Sequence, residues 1–377
     1  MASARASVNR SDPQWGSRRI PLPLQGRGTS FNPPNRFEPI ELEPCDDDAP
    51  TPDPELTASN RSGGPKTLYF RDLSRSIIVF NDSPDIGFDA SINPYRGCEH
   101  GCAYCYARPY HEYLGLSAGL DFESKIFCKL NADKLLRAEL SSRSWQPRVL
   151  ALCGVTDAYQ PVERRLGLTR ACLGVLAEFR NPVGIVTKNH LVTRDIDLLQ
   201  ELSRFHAAAV HISLTTLNND LASRMEPRAS APMRRLEAIR RLADAAVPVG
   251  VLIAPVIPGL TDHELPSLLR AAADAGARWA GTISLRLPGA VQTVFLRWLE
   301  EHYPQRRNKI IHQIQSMHEG RLNDPRFHNR FRTTGALAGQ INDLFHTMRQ
   351  KLHLACRAPT LSVEHFRVPG GQPGLFD

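Results

Sequence analysis

Hydrophobic positions in the middle of the chain follow two periods in turn. Short apolar runs predict buried strands at residues 148–155, 183–187, 208–215, 247–254 and 279–285. Between these runs apolar residues recur at helical spacing, as Cys172, Leu173 and Leu176 do. Strands that alternate with amphipathic helices predict a parallel sheet.

The number of these units favours one parallel architecture over another. Counted with a first strand near Cys98, about six β/α units predict an α/β fold of the partial (β/α)6 TIM-type barrel class. A doubly wound open sheet is the alternative. In a barrel of this kind ligands bind at the carboxyl ends of the strands, so residues that follow each strand are the candidates for a site.

The regions on either side of the predicted barrel, residues 66–288, have different patterns. Residues 1–65 are rich in Pro, Ser, Arg and Asn and show no hydrophobic period, which predicts a disordered N-terminal segment. After Pro288 the pattern becomes mainly helical, which predicts a helical C-terminal extension at residues 289–360. Residues 361–377 are predicted to form a flexible tail.

Composition and charge narrow the class of protein. The chain has 377 residues, 42% of them hydrophobic, which is enough for one large domain or two small ones. The N-terminus lacks the apolar core of a signal peptide and no apolar run is long enough to cross a bilayer, so we expect a cytoplasmic protein without membrane association. The net charge of +7 permits attraction to nucleic acid but suits an ordinary enzyme equally well.

Three of the eight cysteines are clustered. Cys98, Cys102 and Cys105 form a C-x-x-x-C-x-x-C motif, and thiolates are the preferred ligands of iron–sulfur centres. Gly97 and Gly101 let the loop turn tightly around a bulky cofactor. Three protein ligands for four irons leave one iron open to another molecule. The motif therefore predicts a [4Fe–4S] cluster.

Two other interpretations of the cysteines stay open at this point. A structural zinc ion needs a fourth ligand, and His100 is available for it only from an awkward position inside the loop. A redox pair of Cys102 and Cys105 leaves Cys98 unexplained. The zinc interpretation implies a nucleic-acid-binding module without catalysis.

The same motif carries a resemblance to a known family. With Tyr104 directly before Cys105, the spacing resembles the signature of the radical SAM superfamily. The surrounding sequence is similar to the branch that includes spore photoproduct lyase and DNA repair photolyase-like proteins, over roughly residues 88–290. The resemblance implies a lyase-like enzyme of DNA repair. The alternative is radical modification of a peptide or a small molecule.

The resemblance also implies cofactors and a reaction. The open iron of the [4Fe–4S] cluster binds the amino and carboxylate groups of S-adenosyl-L-methionine (SAM). An electron donor such as flavodoxin or ferredoxin then reduces the cluster. Methionine leaves, and a 5′-deoxyadenosyl radical abstracts hydrogen from the substrate, so that the cofactors supply the difficult chemistry.

Acidic and hydroxyl residues follow the predicted strand at 148–155. Members of the superfamily often hold the SAM amino group here with a Gly-Gly-Glu motif, which this sequence lacks. Thr156, Asp157 and Glu163 are the candidates to replace it. Each of them also suits a helix-entry turn with acidic caps.

Three further residues match SAM contacts at later strand ends. Lys188 corresponds in position to a lysine that reaches the SAM ribose or carboxylate in the lyase-like branch, and Ser213 to a SAM-contacting serine. Arg228 is a candidate to pair with the SAM carboxylate through a bidentate fork. Arg286 follows the last strand and is expected to face the substrate.

Cys153 is the candidate for a catalytic thiol. Spore photoproduct lyases carry a hydrogen-donating cysteine on this strand, but alignment on Asp157 puts Gly154 at its place and Cys153 one residue earlier. A shift of one residue turns a strand side chain to the other face. Cys153 is therefore either the hydrogen donor or a small core residue, and the departure argues against thymine-dimer repair.

Two late features suggest partners. The terminal pattern formed by Gln372, Leu375 and Phe376 resembles peptides that dock into the bacterial sliding clamp, with the two apolar residues as anchors. Basic residues between 297 and 332, interleaved with Phe327 and Phe331, suit a nucleic-acid face. Solvated helix faces are the alternative for this basic region, because acidic residues dilute it.

Overall fold

The computed structural model describes residues 24–37 and 65–370. Its strands, in chain order, are β1 (Leu68–Arg71), β2 (Ile78–Phe80), β3 (Ala90–Ile92), β4 (Tyr95–Arg96), β5 (Lys125–Cys128), β6 (Leu150–Leu152), β7 (Val183–Thr187), β8 (Ala208–Ser213), β9 (Val249–Val256) and β10 (Ala280–Ser284). The five strands that the apolar runs predict correspond to β6–β10.

Seven of these strands form the main sheet, in the order β10-β9-β8-β7-β6-β3-β2. Six of them, β3 and β6–β10, pair in parallel, and β2 joins the edge antiparallel to β3. Six parallel strands in chain order confirm the predicted α/β class, and the sheet has the arrangement of a partial (β/α)6 barrel.

Helices connect the parallel strands. The α-helices are α1 (Leu120–Ser124), α2 (Ala132–Leu140), α3 (Glu163–Leu166), α4 (Leu168–Phe179), α5 (Ile196–Ser203), α6 (Asn219–Met225), α7 (Pro232–Asp244), α8 (Leu265–Asp274), α9 (Val291–His302), α10 (Arg307–Ser316) and α11 (Gly335–Lys351). The last three form the helical C-terminal extension that the pattern predicts. Of the helices in the described ranges, none is long and apolar enough to cross a membrane.

The main core lies between the sheet and its helices. On α4, Cys172, Leu173, Leu176 and Phe179 are buried on one face and pack with apolar strand residues. Burying one such apolar side chain contributes about 1.5–3 kcal/mol, so this layer supplies much of the driving force for folding. It also fixes the strand ends on which the site is built.

One strand ends earlier than its apolar run predicts. The run covers residues 148–155, but β6 stops at Leu152. Cys153 still donates its backbone N–H to Ile92, yet its backbone has a positive φ of 72°. A left-handed residue cannot continue a strand, and the chain turns there into the loop that carries Thr156 and Asp157.

A second, smaller sheet supports the cysteine loop. Its order is β1-β5-β4, with β4 antiparallel to β5 and β1 parallel to it. β4 ends at Arg96, directly before the loop that carries the three cysteines. The small sheet therefore holds the entry to this loop.

Part of the segment predicted to be disordered has a defined place. Residues 24–37, which we call the strap, pack against the cysteine loop and leave Arg27, Thr29 and Asn35 buried. The prediction for 1–65 is wrong for this stretch. Its contacts are made mainly by polar side chains and backbone, so they leave no hydrophobic period in the sequence. The rest of 1–64 and the tail from 371 onward lie outside the described residues.

Candidate cofactor site

Two glycines shape the cysteine loop, as the sequence predicts. Gly97 and Gly101 have positive φ values of 78° and 65°. A Cβ on Gly97 would lie 3.0 Å from the Phe122 carbonyl oxygen, and a Cβ on Gly101 would lie 2.6 Å from Glu123 Oε2. Side chains are excluded at both positions by conformation and by space.

The three cysteines of the loop carry free thiols. Cys98 and Cys102 are buried and Cys105 is half-buried. The Cys98 N–H donates to the Phe122 carbonyl over 2.9 Å, which ties the loop to α1. Burial raises the pKa of all three thiols, and for Cys98 the neighbouring Asp157 and the other two thiols raise it further.

The chemistry of this donor set suits an iron–sulfur cluster. Within 24–37 and 65–370, no three His, Cys, Asp or Glu side chains converge as ligands of one metal ion. A four-iron cluster is larger than one ion and takes each thiolate on a different iron. Thiols bind metal only as thiolates, and positive irons would offset the burial that keeps these protonated. The residues therefore fit an iron–sulfur cluster.

A buried ionic network lies beside the loop. Tyr104 donates its hydroxyl hydrogen to Glu226, which also forms an ion pair with Arg235. Lys188 Nζ lies 3.2 Å from Glu226 Oε1. Burial alone would raise the pKa of Glu226, but Arg235 and Lys188 outweigh it and hold this pKa below its usual range. Glu226 is thus a buried carboxylate shared between two cations.

The same network gathers two of the predicted SAM contacts. Lys188 Nζ donates to Ser213 Oγ over 2.6 Å, and Thr215 Oγ1 donates to Glu226 over 2.8 Å. Lys188 also lies 5.5 Å from the centre of the Tyr104 ring. Lys188, Ser213 and Tyr104 therefore lie together next to Cys102. For Lys188 and Ser213 this agrees with the expectation that ligands bind at the carboxyl ends of the barrel strands.

Asp157, which follows β6, contacts both the end of β7 and the cysteine loop. Its carboxylate accepts from Thr187 Oγ1 over 2.7 Å and from the Lys188 N–H over 2.8 Å. It also accepts from the Tyr159 N–H over 2.9 Å and lies 3.4 Å from His100 Nδ1. Burial alone would raise the pKa of Asp157, but His100 and these hydrogen bonds lower it overall. Asp157 is placed beside the loop and has four protein partners.

Cys153 is enclosed by the main core. Its thiol is packed among the apolar residues of the barrel, and the Thr156 hydroxyl donates to its sulfur over 3.6 Å. Burial raises the pKa of this thiol well above its ordinary value. The geometry corresponds to the core-residue interpretation rather than to a hydrogen donor, and the Thr156 hydroxyl is directed at Cys153.

Two predicted SAM contacts are occupied by other protein groups. Glu163 is fully buried, and its carboxylate accepts from Tyr95, Thr169 and Arg194 at 2.5, 3.0 and 2.6 Å. This leaves no free carboxylate oxygen for the SAM amino group. We therefore assign Glu163 to holding α3 and α4 against the small sheet, which corrects the expectation from sequence.

Arg228 is the second of these residues. Its guanidinium donates to the Gly26 carbonyl over 3.0 Å and to Thr67 Oγ1 over 3.2 Å, and it lies 3.4 Å from Glu99 Oε1. The fork expected to bind the SAM carboxylate instead fastens the strap to the cysteine loop. Sequence position alone could not reveal this, because the partners are far away in the chain.

The strap lies directly on the cysteine loop. The Gly28 N–H donates to Glu123 Oε2 over 2.9 Å, and Arg108 forms a fully buried ion pair with the other oxygen at 2.5 Å. A Cβ on Gly28 would lie only 1.6 Å from the Gly101 carbonyl oxygen. Backbone therefore meets backbone here, and the strap shields this side of the loop from water.

Sequence reasoning missed Glu226 and Arg235. One signal was available for Arg235, because it shares helical spacing with Ile239 and Leu242 on the buried face of α7. An arginine at an apolar-face position needs a buried anionic partner. Glu226 has no such pattern, since it caps the short helix α6.

The tail residues Gln372, Leu375 and Phe376 lie outside the described residues, and sliding-clamp docking stays a prediction.

Comparison with protein families now adds to this geometry. Residues 92–272 match the family model of the radical SAM superfamily, and all three loop cysteines lie within the match. This agrees with the family that the cysteine motif resembles.

The chain is also similar to uncharacterized proteins. An uncharacterized protein of Mycobacterium tuberculosis is 37% identical over 220 residues, covering 58% of this chain and 65% of that protein. An uncharacterized protein of Methanocaldococcus jannaschii is 29% identical over 173 residues, covering 46% of this chain and 62% of that protein. The chain thus spans about two thirds or less of the length of these relatives.

Among solved structures, spore photoproduct lyase in complex with dinucleoside spore photoproduct superposes with a TM-score of 0.53 at 16% identity. The match covers 75% of this chain and 79% of the lyase. At this level of identity the likeness establishes a shared fold.

Proposed function

We propose that the protein is a radical enzyme that reductively cleaves SAM at a [4Fe–4S] cluster held by Cys98, Cys102 and Cys105. The observation that carries the proposal is the placement of three free thiols in one loop of a radical SAM domain, next to the buried group of Lys188, Ser213 and Tyr104. When bound, the cluster and SAM supply a 5′-deoxyadenosyl radical that abstracts hydrogen from a substrate.

The chain's own residues bind and orient SAM in this proposal. Lys188 carries a positive charge at a strand end, with its side chain 15% exposed, and it presents a donor to a carboxylate or a ribose. Ser213 and Glu226 hold the lysine in place through hydrogen bonds and charge. Asp157 also has protein partners on both oxygens, but unlike Glu163 it contacts the cysteine loop through His100, so it is the acidic residue that we propose for the SAM amino group.

The strap and the buried network exclude water from the cluster side of the site. Water exclusion protects a reactive radical from side reactions and strengthens the electrostatic interactions inside. A small electron-transfer protein such as flavodoxin or ferredoxin is the reductant that we propose for the reaction. A protein of the same fold has been solved with bound AdoMet and a dinucleoside spore photoproduct, which supports SAM as the cofactor and a DNA-repair-like reaction as the first candidate.

The test is an anaerobic assay. The purified protein is reconstituted with iron and sulfide, SAM and dithionite are added, and 5′-deoxyadenosine is measured. We expect 5′-deoxyadenosine from the protein with a full cluster. A protein that assembles no cluster and binds zinc instead would contradict the proposal and favour a zinc-stabilised nucleic-acid-binding module.

A substitution sharpens the assignment of Lys188. Lys188→Met should weaken SAM binding at least about tenfold, because it removes a charge-assisted hydrogen bond from a partly buried site. Lys134→Met, on the exposed face of α2, is the matched control and should bind SAM normally. Equal affinities in both variants would remove Lys188 from the site.

The nature of the substrate divides into two candidates. A nucleic acid is the first, and a peptide or a small molecule is the second. Product analysis after incubation with damaged DNA separates them, since only the first predicts a change in the DNA that depends on SAM.

A further inference from the structure

Aromatic side chains are unusually exposed around the cysteine loop. Six of them, each 39–67% exposed, form what we call the aromatic surface: Phe37, Tyr106, Tyr110, Tyr113, Phe327 and Phe331. They come from three segments, namely the strap, the stretch after the cysteines and the loop between α10 and α11. Exposed aromatic rings that come together from separate segments indicate a binding surface, because contacts within any one segment do not explain why the rings stay exposed to solvent.

One half of the surface lies between the strap and the 3-10 helix Arg108–Leu114. The ring centres of Phe37 and Tyr113 are 4.8 Å apart, and those of Tyr110 and Tyr113 are 6.3 Å apart. The Arg36 guanidinium lies 4.6 Å from the centre of the Phe37 ring. The three rings and the Arg36 guanidinium therefore form one continuous row of contacts.

The other half repeats the same combination. The Arg286 guanidinium lies 4.2 Å from the centre of the Phe331 ring, and the Arg330 guanidinium lies 4.8 Å from the centre of the Phe327 ring. Arg330 also lies 5.4 Å from Phe331. Arginine and aromatic side chains thus alternate in both halves.

The two halves meet at the mouth of the proposed site. Tyr106, Asp85 and Tyr110 lie close enough to Arg286 to raise its pKa, against the larger effects of burial and Arg330, which lower it. Tyr106 directly follows Cys105, and its hydroxyl donates to the Gly154 carbonyl over 2.8 Å. Arg286 lies two residues beyond the end of β10. The aromatic surface therefore borders the carboxyl ends of the barrel strands.

The three arginines differ in their ionic partners. Arg36 pairs with Glu112 at 3.1 Å, and Arg330 pairs with Asp85 at 2.8 Å. Arg286 has no ion pair within 24–37 and 65–370, and its Nε is buried without a hydrogen-bond partner. Arg286 is thus a half-buried cation that an anion from outside the chain would satisfy.

We infer that the aromatic surface binds single-stranded nucleic acid across the mouth of the site. Bases stack on the exposed rings, and a phosphate pairs with Arg286. Interleaved aromatic and basic side chains are the general means of holding a single strand, and the net charge of +7 favours a polyanion. A duplex hides its base faces and cannot use the rings. The inference rests on the proposed function, because only that function makes the strand a substrate of the site. The binding itself is tested separately.

The experiment is a binding titration of the reconstituted protein by fluorescence anisotropy. The probes are fluorescein-labelled mixed-sequence oligonucleotides, as single-stranded DNA, as single-stranded RNA and as duplex DNA. Tyr110→Ala and Phe331→Ala should each weaken single-strand binding about fivefold or more, since stacking on one ring is worth at least that factor. Arg286→Gln should lower the slope of log affinity against log salt by about one phosphate contact.

A matched control comes from the other end of the barrel. Phe80 is exposed, with the Arg148 guanidinium 5.3 Å from its ring centre, at the amino end of the strands. Phe80→Ala combined with Arg148→Gln should leave binding unchanged. Iron content of each variant shows that the cluster still assembles.

Several results would overturn the inference. They are no binding of single strands by the unaltered protein, preference for the duplex, an equal loss in the control, or self-association in place of oligonucleotide binding. Oligonucleotide binding without 5′-deoxyadenosine formation would refute the proposed function and leave the surface standing. The reverse result would refute the surface alone.

Discussion

The apolar layer around α4 and the polar end of the barrel beside the cysteine loop are equally buried but are built on opposite principles. In the layer, Cys172 and Leu173 are buried within the apolar core. Beside the loop, Glu226 and Arg235 are buried as ions. Burying apolar area stabilises the fold, whereas burying a charge costs free energy that its partner largely offsets.

This difference separates residues kept for stability from residues kept for chemistry. A core cysteine can be exchanged for another small apolar side chain at modest cost. A buried ion pair offers little net stability over an apolar replacement, so its presence needs another reason. Here the ions lie within reach of Lys188 and the loop thiols, which is the reason we propose.

The largest contrast is expected between two sets of cysteines. Replacing Cys98, Cys102 and Cys105 together by Ala should abolish both cluster assembly and 5′-deoxyadenosine formation, because no soft ligands remain in the loop. Cys172→Ala should keep both and lower the free energy of unfolding by about 1–2 kcal/mol. Iron and sulfide analysis with the SAM cleavage assay measures the contrast. A cluster retained by the triple variant and lost in Cys172→Ala would reverse it.

The second largest effect is a difference in stability between the loss of a buried carboxylate and the loss of an exposed one. Glu226→Gln leaves Arg235 buried without its counter-charge and should lower the free energy of unfolding by about 3–5 kcal/mol. Glu237 also pairs with an arginine on α7, Arg234, but its side chain is 38% exposed. Glu237→Gln should therefore cost at most about 1 kcal/mol. Denaturant titration compares the two, and equal costs would mean that burial does not set the strength of these pairs.

The contrast also marks what the sequence could predict. Periodicity predicted strands β6–β10 and the face of α4, because packing one face of an element imposes a period. The cysteine motif predicted the loop, because a cluster imposes a spacing. Glu226, and the strap with Arg27, depend on contacts between distant parts of the chain, and such contacts impose no local pattern. For the same reason the partners of Arg228 and Glu163 could not be predicted.

Backbone contact between strap and loop gives a smaller effect. Gly28→Ala places a methyl group where the Gly101 carbonyl lies, so the strap must move off the loop at a cost of about 1–3 kcal/mol. Faster loss of cluster absorbance in air should result, since water and oxygen reach the loop. Gly174→Ala is the control, because a Cβ at this position of α4 meets nothing within 4 Å. Equal bleaching rates would show that the strap does not shield the site.

The smallest effect is a dependence of stability on pH that originates beneath the loop. His111 is buried against Gly97, and burial lowers its pKa from 6.5 to about 4. Because the unfolded chain binds this proton more tightly, the stability contributed by the neutral ring is complete above pH 6.5 and is lost as the pH falls toward 4. At pH 5.5 the loss amounts to about 1 kcal/mol.

Thermal unfolding of the cluster-free protein between pH 7 and 5 measures this term. His111→Gln removes the titrating ring, so its stability should fall less steeply over this interval than that of the unaltered protein. The side chain of His263 is 70% exposed, and His263→Gln should keep the original pH dependence. A slope that His111→Gln leaves unchanged would place the proton uptake elsewhere. A reduced slope would show that the polar end of the barrel, unlike the apolar layer, makes folding sensitive to pH.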